Sequence, residues 1–386
     1  MSILRTHAIA SPKYRWATGL LIALSLGSSV ALAQTLMPAE YAVQLQQALD
    51  EAYDKFRMED AGMVAVIHPQ YGFWEGVSGN ARRDPNEEMR LEHLGRIASI
   101  SKTFAAATIL SMSDEGTLNL EDSVEQWLPG LAPNGENITV RHLLGHRSGL
   151  DSFTDWINLN AEPARVWDPA EVAELSVRRP VHFQPGERYS YCNTGFVLLG
   201  LIVEAAGETY EVEIRNRFLD PLGLSDTYMD GRDAVPDLIA DPPTAPKPYT
   251  SWATAAWTAG GMVSSAGDLA RWAAALYGGE VLSAESTDEL LTPFEGDAYS
   301  LGTMHSTTKR GKTVGHEGSI PGFTASMHYY PESGLSTAGI ASGGGGGALR
   351  DMVLRAMGRI PALSVGPAAK LATTWGAVKA DLSAGR

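Results

Sequence analysis

Residues 96–104 read RIASISKTF, and they lead into an alanine-rich segment over 102–112 that is apolar on nearly every side. Such a segment predicts a buried helix, which we expect to end near Gly116. Ser99 and Lys102 are three residues apart, so both side chains lie on one face of that helix and touch. This serine–lysine pair is the feature from which the other predictions follow.

The pair has the elements of nucleophilic catalysis. A serine hydroxyl is a poor nucleophile at its own pKa and needs a neighbouring base. Lys102 can act on Ser99 if burial lowers the lysine pKa, because desolvation disfavours the charged ammonium. The positive end of the helix also favours negative charge that develops near Ser99. One S-x-x-K alone is weak support, since it occurs by chance in many long chains.

A second pattern, Tyr191-Cys192-Asn193, follows the turn Gln184–Glu187. A tyrosine whose phenolate is stabilised by a lysine can act as general base and later as general acid. Asn193 offers a donor and an acceptor that can orient a substrate amide. Taken alone, the pattern favours a packed tyrosine beside a turn asparagine.

The third pattern is His316-Glu317-Gly318, followed by Ser319. A glycine in or next to a strand lets a substrate approach the backbone closely. The backbone N–H of Ser319 can supply one arm of an oxyanion hole, with the N–H of Ser99 as the other. The alternative is a surface histidine beside a glycine-rich turn.

Five segments in this order resemble the class C β-lactamase and D-alanyl-D-alanine carboxypeptidase group of serine hydrolases, the penicillin-recognising enzymes. They are Arg96–Phe104, Ile138–Leu150 (ITVRHLLGHRSGL), Phe183–Gly200 (FQPGERYSYCNTGFVLLG), Ala259–Trp272 (AGGMVSSAGDLARW) and Gly315–Phe323 (GHEGSIPGF). The resemblance covers about residues 60–350. It implies an α+β fold of the β-lactamase/transpeptidase type, with an antiparallel sheet flanked by helices, an all-helical insertion and a site between them.

The resemblance also implies roles for individual residues. Ser99 would be the acylated nucleophile, Lys102 would tune it, and Tyr191 would transfer protons. Substrate contacts are implied at Asn193, His316, Gly318 and Ser319. The resemblance implies neither a metal nor a cofactor.

The sequence departs from the β-lactamase branch where that branch carries Lys-Thr-Gly. His316-Glu317-Gly318 takes that place, and the nearby Lys312-Thr313 is followed by Val314. A neutral histidine would not supply the cation that a substrate carboxylate needs. Glu317 would repel a carboxylate if it faced the pocket, although on an alternating strand it can face away. An amide, an ester or a free ammonium suits this wall better.

We therefore expect a serine hydrolase that acts on D-amino-acid-containing peptides, amides or esters, in the manner of a D-alanyl-D-alanine carboxypeptidase or D-peptidase. A β-lactamase is the second candidate and a carboxylesterase the third. The non-enzymatic alternative is an inactive penicillin-binding-like scaffold, which the complete set of site residues disfavours. A zinc site at His142 and His146 is disfavoured because Leu143-Leu144-Gly145 separates them. An α/β-hydrolase is disfavoured because no G-x-S-x-G occurs.

The start of the chain has the pattern of a secretory signal peptide over residues 1–33. Three basic residues precede an apolar run over 17–33 that ends in Ala31-Leu32-Ala33. We expect cleavage before Gln34 and a periplasmic or secreted protein without membrane attachment after cleavage. Cys192 is the single cysteine, so an intramolecular disulfide is excluded.

Composition and sequence pattern limit the possible partners and indicate the domain division. The formal net charge of −15 becomes −18 once three cations leave with the signal peptide, which disfavours nucleic acid as a partner. We expect a small peptide, amide, ester or β-lactam as ligand, and the oligomeric state stays open. The predicted division is a sheet domain over 34–98 and 290–386 with a mostly helical domain over 99–289. Trp252 and Trp257 are candidates for lining the cleft, although aromatic residues more often belong to a core.

Overall fold

The computed structural model describes residues 35–56, 61–343 and 345–364. The predicted signal peptide over 1–33 and the final residues 365–386 lie outside the described residues, so export stays a prediction. Within the described ranges, none of the helices has the length and apolarity that crossing a bilayer requires.

Helices and strands alternate in blocks along the chain. The helices are α1 Ala39–Phe56, α2 Ser101–Asp114, α3 Val124–Trp127, α4 Val140–Leu144, α5 Pro169–Val177, α6 Asn193–Ala206, α7 Tyr210–Ile214, α8 Asp220–Leu222, α9 Thr250–Gly260, α10 Ala266–Tyr277, α11 Ala284–Leu291 and α12 Gly346–Met357. The strands are β1 Ala61–His68, β2 Gly72–Arg83, β3 Asn86–Glu88, β4 Gly95–Arg96, β5 Tyr228–Met229, β6 Met262–Ser264, β7 Met304–Thr308, β8 Gly311–Ile320, β9 Phe323–Tyr330 and β10 Leu335–Ser342.

Seven strands form one antiparallel sheet in the order β3-β2-β1-β10-β9-β8-β7. The strands from the two ends of the chain meet at the centre, where β1 pairs with β10 and Val64 faces Gly339. A small sheet, β4-β6-β5, lies beside the nucleophile segment. This antiparallel sheet with its many helices confirms the α+β fold class predicted from the sequence.

Helices cover both faces of the large sheet. On one face, α1 and α12 pack with Val64 and Val66 into a core that includes Leu45, Leu349 and Val353. On the other face, α10 packs against β1, β9 and β10. Alternation along each strand is what sends side chains to these two separate cores.

The middle of the chain is mostly helical and surrounds α2. The residues of α2 from Ser101 to Leu110 are all buried, as its apolar pattern predicts. Helix α2 ends at Asp114 and is followed by Glu115 and Gly116. The φ of Gly116 is +73°, in the left-handed region that favours glycine. The boundaries predicted between a sheet domain and a helical domain stay a prediction.

The bounds of two helices differ from the sequence pattern. The apolar run from Phe196 to Ala206 by itself predicts a helix that begins at Phe196, whereas α6 begins at Asn193, because Cys192 is still extended and serves as its N-cap. The helical spacing of Leu349, Val353 and Ile360 by itself predicts a last helix that includes Ile360, but α12 ends at Met357, before Gly358. The earlier start of α6 matters, since it places Asn193 on a rigid element.

Candidate active site

Ser99 lies in a short 3₁₀ turn, Ala98–Ile100, that leads directly into α2. Ala98 has a φ of +48°, which is unfavourable for a residue with a Cβ. The turn is fastened to the helix by Ser101, whose hydroxyl donates to the Ala98 carbonyl at 2.7 Å. The result is a half-buried Ser99 side chain held at the rim of a buried helix.

Lys102 is fully buried directly beneath Ser99. Its Nζ is 3.1 Å from the Ser99 Oγ, 2.7 Å from the Asn193 Oδ1 and 2.6 Å from the Ala259 carbonyl oxygen. Burial lowers the pKa of Lys102 well below its usual value. A neutral amine fits these three neighbours, since it donates to Asn193 and Ala259 and keeps a lone pair for the Ser99 proton.

A kink in α9 delivers the Ala259 carbonyl to Lys102. Trp257 departs from helical geometry, with φ of +35° and ψ of −120°. Its indole is 1 % exposed and donates to Glu211 at 2.8 Å, so Trp257 belongs to the core and not to the wall of the cleft. We interpret the kink as local strain that serves the positioning of one carbonyl oxygen.

Tyr191 lies next to the Ser99 hydroxyl, which acts on the pKa of its phenol. The Nζ of Lys102 is 4.8 Å from the centre of the tyrosine ring. Burial raises the pKa of Tyr191 above its usual value, so the phenol keeps its proton at neutral pH. Ser99, Lys102 and Tyr191 are therefore in one cluster, and their catalytic roles stay a prediction.

Asn193 opens α6 and joins this cluster from the far side. Its Oδ1 accepts from Lys102, and its Nδ2 donates to the Thr154 Oγ1 at 3.0 Å. The backbone N–H of Asn193 donates to the hydroxyl of Ser152 at 3.1 Å. Both ends of the amide thus have protein partners, and the residue orients Lys102 in addition to facing the cavity.

His316 lies on β8 and is 1 % exposed, with its ring centre 6.4 Å from that of Tyr191. Its Nδ1 donates to the Glu317 carbonyl at 2.6 Å, so its Nε2 accepts from the hydroxyl of Tyr299 at 3.0 Å. Burial, followed by the effect of Lys102, lowers the pKa of His316 to about 3. The imidazole is a neutral, enclosed neighbour of the cluster.

Gly318 brings β8 against the nucleophile turn. A Cβ at this position would lie 2.1 Å from the carbonyl oxygen of Ile97 and 3.2 Å from the Cβ of Ala98. Ser319, the next residue, lines the cavity at Ser99. The oxyanion hole between the N–H groups of Ser99 and Ser319 stays a prediction that this close approach favours.

Glu317 turns away from Ser99. Its carboxylate accepts from the Nε2 of His328 at 2.7 Å and pairs with Arg350 of α12 at 3.4 Å. Alternation along β8 places it on the α12 side, while His316 and Gly318 face the nucleophile turn. The repulsion of a substrate carboxylate by Glu317 therefore does not arise in the cavity at Ser99.

The cavity at Ser99 has a volume of about 60 Å³ and an apolar wall that sequence reasoning identified only through Trp252. Its lining includes Ser99, Asn193 and Ser319 together with Phe153, Thr154, Leu159, Trp252, Ala256 and Ile320. Phe153, Thr154 and Leu159 follow the Ile138–Leu150 segment in a loop with no periodic pattern. The proximity of this loop to a recognised segment was the only available signal.

The metal alternative finds no support in geometry. The Nδ1 of His142 accepts from the N–H of Thr139 and that of His146 from the N–H of Cys192. Across the described ranges, no group of three or more His, Cys, Asp or Glu side chains is arranged to hold a metal ion.

Comparison with known proteins adds a family. A family model described as "Beta-lactamase" matches residues 50–359. Penicillin-binding protein 4* of Bacillus subtilis is 27 % identical over 278 residues, covering 65 % of this chain and 61 % of that protein. Protein flp of Staphylococcus aureus is 32 % identical over 190 residues, covering 46 % of this chain and 37 % of its own length. The chain thus spans less than two thirds of the length of each of these curated relatives.

Solved structures match over more of the chain. A D-amino acid amidase from Ochrobactrum anthropi, complexed with L-phenylalanine amide, has a TM-score of 0.74 at 28 % identity, covering 83 % of this chain and 99 % of that one. A D-stereospecific amidohydrolase from Streptomyces has a TM-score of 0.66 at 26 % identity, covering 82 % and 98 %.

Proposed function

The chain belongs to the β-lactamase family of penicillin-recognising serine hydrolases, and from that membership we propose that it hydrolyses amides, peptides or esters of D-amino acids through an acyl-enzyme on Ser99. The observation that carries the proposal is the cluster of Ser99, Lys102 and Tyr191 at the wall of a cavity, in which the Lys102 Nζ is 3.1 Å from the Ser99 Oγ and 4.8 Å from the centre of the Tyr191 ring. The similarity to a D-amino acid amidase and a D-stereospecific amidohydrolase supports the stereochemistry.

In the acylation step, the neutral amine of Lys102 takes the proton of Ser99 while Oγ attacks the substrate carbonyl carbon. The carbonyl oxygen becomes an oxyanion, which the N–H groups of Ser99 and Ser319 would stabilise. As the carbon–nitrogen or carbon–oxygen bond breaks, the phenol of Tyr191 donates its proton to the leaving group. Lys102 then returns a proton to Tyr191 within the cluster, so that proton count and charge balance.

Deacylation reverses these roles. A water molecule attacks the acyl carbon and gives its proton to the cluster, and Ser99 leaves with a proton from Tyr191 or Lys102. The cluster ends the cycle in its starting protonation state. The same residues therefore serve both half-reactions without a metal ion or cofactor in the scheme.

Charge favours neutral acyl groups and leaving groups over carboxylates. Among the residues that line the cavity at Ser99, none carries a cationic side chain. His316, which stands in the place of the family's lysine, has a pKa of about 3 and stays neutral under ordinary conditions. A carboxylate substrate would lose its hydration there without a counter-charge, which is costly. We therefore rank amide and ester hydrolysis above β-lactam hydrolysis or strict carboxypeptidase action.

The test compares substrates that differ in one feature, with Ser99→Ala as the matched inactive variant. N-acetyl-D-alanyl-D-alanine is compared with its C-terminal amide, and D-phenylalanine amide with L-phenylalanine amide. We expect the amidated and D-configured members to be turned over at least tenfold faster, with no turnover by Ser99→Ala. Faster hydrolysis of the free carboxylate would instead identify a carboxypeptidase.

Two further assays separate the alternatives. Rapid hydrolysis of a chromogenic cephalosporin, in preference to every amide, would establish the β-lactamase. Activity on p-nitrophenyl esters alone would establish a carboxylesterase. If intact-mass spectrometry found no Ser99-dependent adduct or product with any of these compounds, the enzyme assignment itself would be refuted in favour of a scaffold.

We also propose that the enzyme acts outside the cytoplasm. The support is the signal-peptide pattern over 1–33. Expression of the full chain in a Gram-negative host, followed by fractionation and intact mass, should find a periplasmic protein that begins near Gln34. A full-length mass in the cytoplasmic fraction would contradict this.

A further inference from the structure

His146 occupies an unusual position two residues beyond α4. Its φ is +54°, a left-handed conformation that costs energy for a residue with a Cβ. It is also 1 % exposed, although an imidazole is polar. Backbone strain of this kind persists in a folded protein only where surrounding contacts maintain it.

His146 accepts hydrogen bonds from two backbone N–H groups. The N–H of Ser190 donates to the carbonyl oxygen of His146 at 2.8 Å. The N–H of Cys192 donates to the Nδ1 of its ring at 3.1 Å. These two amides flank Tyr191, so a single residue fixes the backbone on both sides of the tyrosine.

The ring also packs directly against the tyrosine. The centre of the His146 ring is 4.2 Å from that of Tyr191, and 5.0 and 4.8 Å from those of Phe196 and Tyr299. Aromatic rings in contact at such distances limit each other's rotation. The phenol of Tyr191 thus has little freedom to leave the Ser99 hydroxyl.

His146 can do this only as a neutral ring, because a protonated Nδ1 would donate and could not accept from Cys192. Its neighbourhood keeps it neutral. Burial, then the nearby Lys102 and His316, lower the pKa of His146 well below its usual value. The other titratable groups around the ring are the phenols of Tyr189, Tyr191 and Tyr299.

We propose that His146 is a positioning residue for acyl transfer, which holds the Tyr191 phenol on the Ser99 hydroxyl through the two flanking amides and ring contact. The inference rests on the proposed function, since it acts through Tyr191. His146 itself does not touch Ser99 or exchange protons with the substrate. Misplacement of a proton donor by about 1 Å is enough to cost on the order of a hundredfold in rate.

The first part of the test separates the acceptor from the bulk. In His146→Asn the amide oxygen takes the place of Nδ1, and asparagine tolerates left-handed φ. In His146→Leu the bulk stays and the acceptor is lost. We expect kcat for D-phenylalanine amide, whose leaving group needs a proton, to fall less than fivefold in the first and ten- to a hundredfold in the second, with KM within twofold. Val140→Ala, which makes a cavity in the preceding helix α4, is the control and should keep kcat.

The second part is a double-mutant cycle with Tyr191→Phe. If His146 acts through Tyr191, His146→Leu should reduce kcat by less than threefold in the phenylalanine background. Multiplicative losses would show a general structural effect and overturn the inference. Equal kcat in His146→Asn and His146→Leu would overturn it too. If the leucine variant does not fold, His146→Ala takes its place.

Failure of the proposed function gives a different result. In that case Ser99→Ala and Tyr191→Phe would leave hydrolysis unchanged, and the double-mutant cycle would show no loss of kcat from the Tyr191 substitution. Loss of activity in both of these variants, with full activity in His146→Leu, would refute the positioning role alone.

Discussion

The Nζ of Lys102 lies 3.1 Å from the Oγ of Ser99 in a position without solvent access. Among the described residues, no carboxylate forms an ion pair with this lysine, and its oxygen partners are an amide and a backbone carbonyl. Burial without a counter-charge disfavours the ammonium. The pair is therefore arranged for proton transfer from serine to lysine and not for a structural ion pair.

Replacement of Lys102 should remove this proton transfer. We expect Lys102→Met to lower kcat/KM for an ester by about 10²–10⁴-fold, the usual contribution of general base catalysis. Lys312→Met, at an exposed lysine of β8, is the matched control and should keep full activity. Comparable rates in the two variants would contradict the role of Lys102.

The pH profile should report the same group. Because burial lowers the pKa of Lys102, its neutral form is present at a lower pH than for a free lysine. Activity should rise with pH as Lys102 loses its proton and then reach a plateau. The residual activity of Lys102→Met should lack this acidic limb. An identical limb in the variant would assign the titration to another group.

Gly318→Ala should separate β8 from the nucleophile turn. The new Cβ would lie 2.1 Å from the carbonyl oxygen of Ile97, so the backbone must move. We expect a loss of about 1–3 kcal/mol in the free energy of unfolding, together with at least a tenfold fall in kcat. Gly347→Ala is the control, since its nearest neighbour would be 3.8 Å away. Unchanged kcat in Gly318→Ala would show that the approach of β8 is not needed.

Trp252 should limit the size of the acyl group. Its ring lines the cavity of about 60 Å³, and its Nε1 donates to the Oδ1 of Asn160 at 2.8 Å, which ties α9 to the loop around Leu159. Trp252→Ala should raise kcat/KM for long-chain p-nitrophenyl esters relative to the acetate by about tenfold. Trp252→Phe keeps an aromatic wall and should change this ratio less than threefold. Equal chain-length profiles for all three proteins would remove Trp252 from specificity.

Asp268 should make stability depend on pH. It is 1 % exposed, and burial raises its pKa to about 6 from a usual value of 3.8. The folded state favours the protonated carboxyl of Asp268. The stability that this protonation contributes is therefore fully present below about pH 4 and is lost as the pH rises through about 6. It amounts to at most about 3 kcal/mol.

The matching measurement is the free energy of unfolding of the native protein and of Asp268→Asn between pH 5 and 8. The variant should have a flatter dependence. Glu75 and Asp226, whose pKa values burial also raises, should leave a residual slope of the same sign. A steeper slope in the variant would contradict the prediction.

Much of the site was predictable because its central relationship is local. Ser99 and Lys102 touch by helical spacing alone, and the apolar character of α2 indicated that the lysine would be buried. The order of the Tyr191 and His316 patterns then identified the fold. Each of these inferences depends on residues a few positions apart, where sequence spacing fixes geometry.

Other assignments required the fold. Glu317 was ambiguous from sequence, because alternation says only that it faces opposite to its neighbours and not which face is the site. Its ion pair with Arg350 shows that Glu317 faces α12 and not the cavity at Ser99. Trp252 and Trp257 were equal candidates in one segment, and the kink at Trp257 sends one to the cavity and the other to the core.

By itself, the sequence determined the class of fold and predicted the nucleophile and its lysine partner, since these rest on short-range periodicity and on segment order. Only the tertiary structure decided what surrounds these residues. The amide of Asn193 and the carbonyl of Ala259 accept hydrogen bonds from Lys102, and His146 accepts hydrogen bonds from the backbone on both sides of Tyr191. These contacts join residues far apart in the chain. Their distances depend on how helices and strands pack, which spacing along the sequence does not specify.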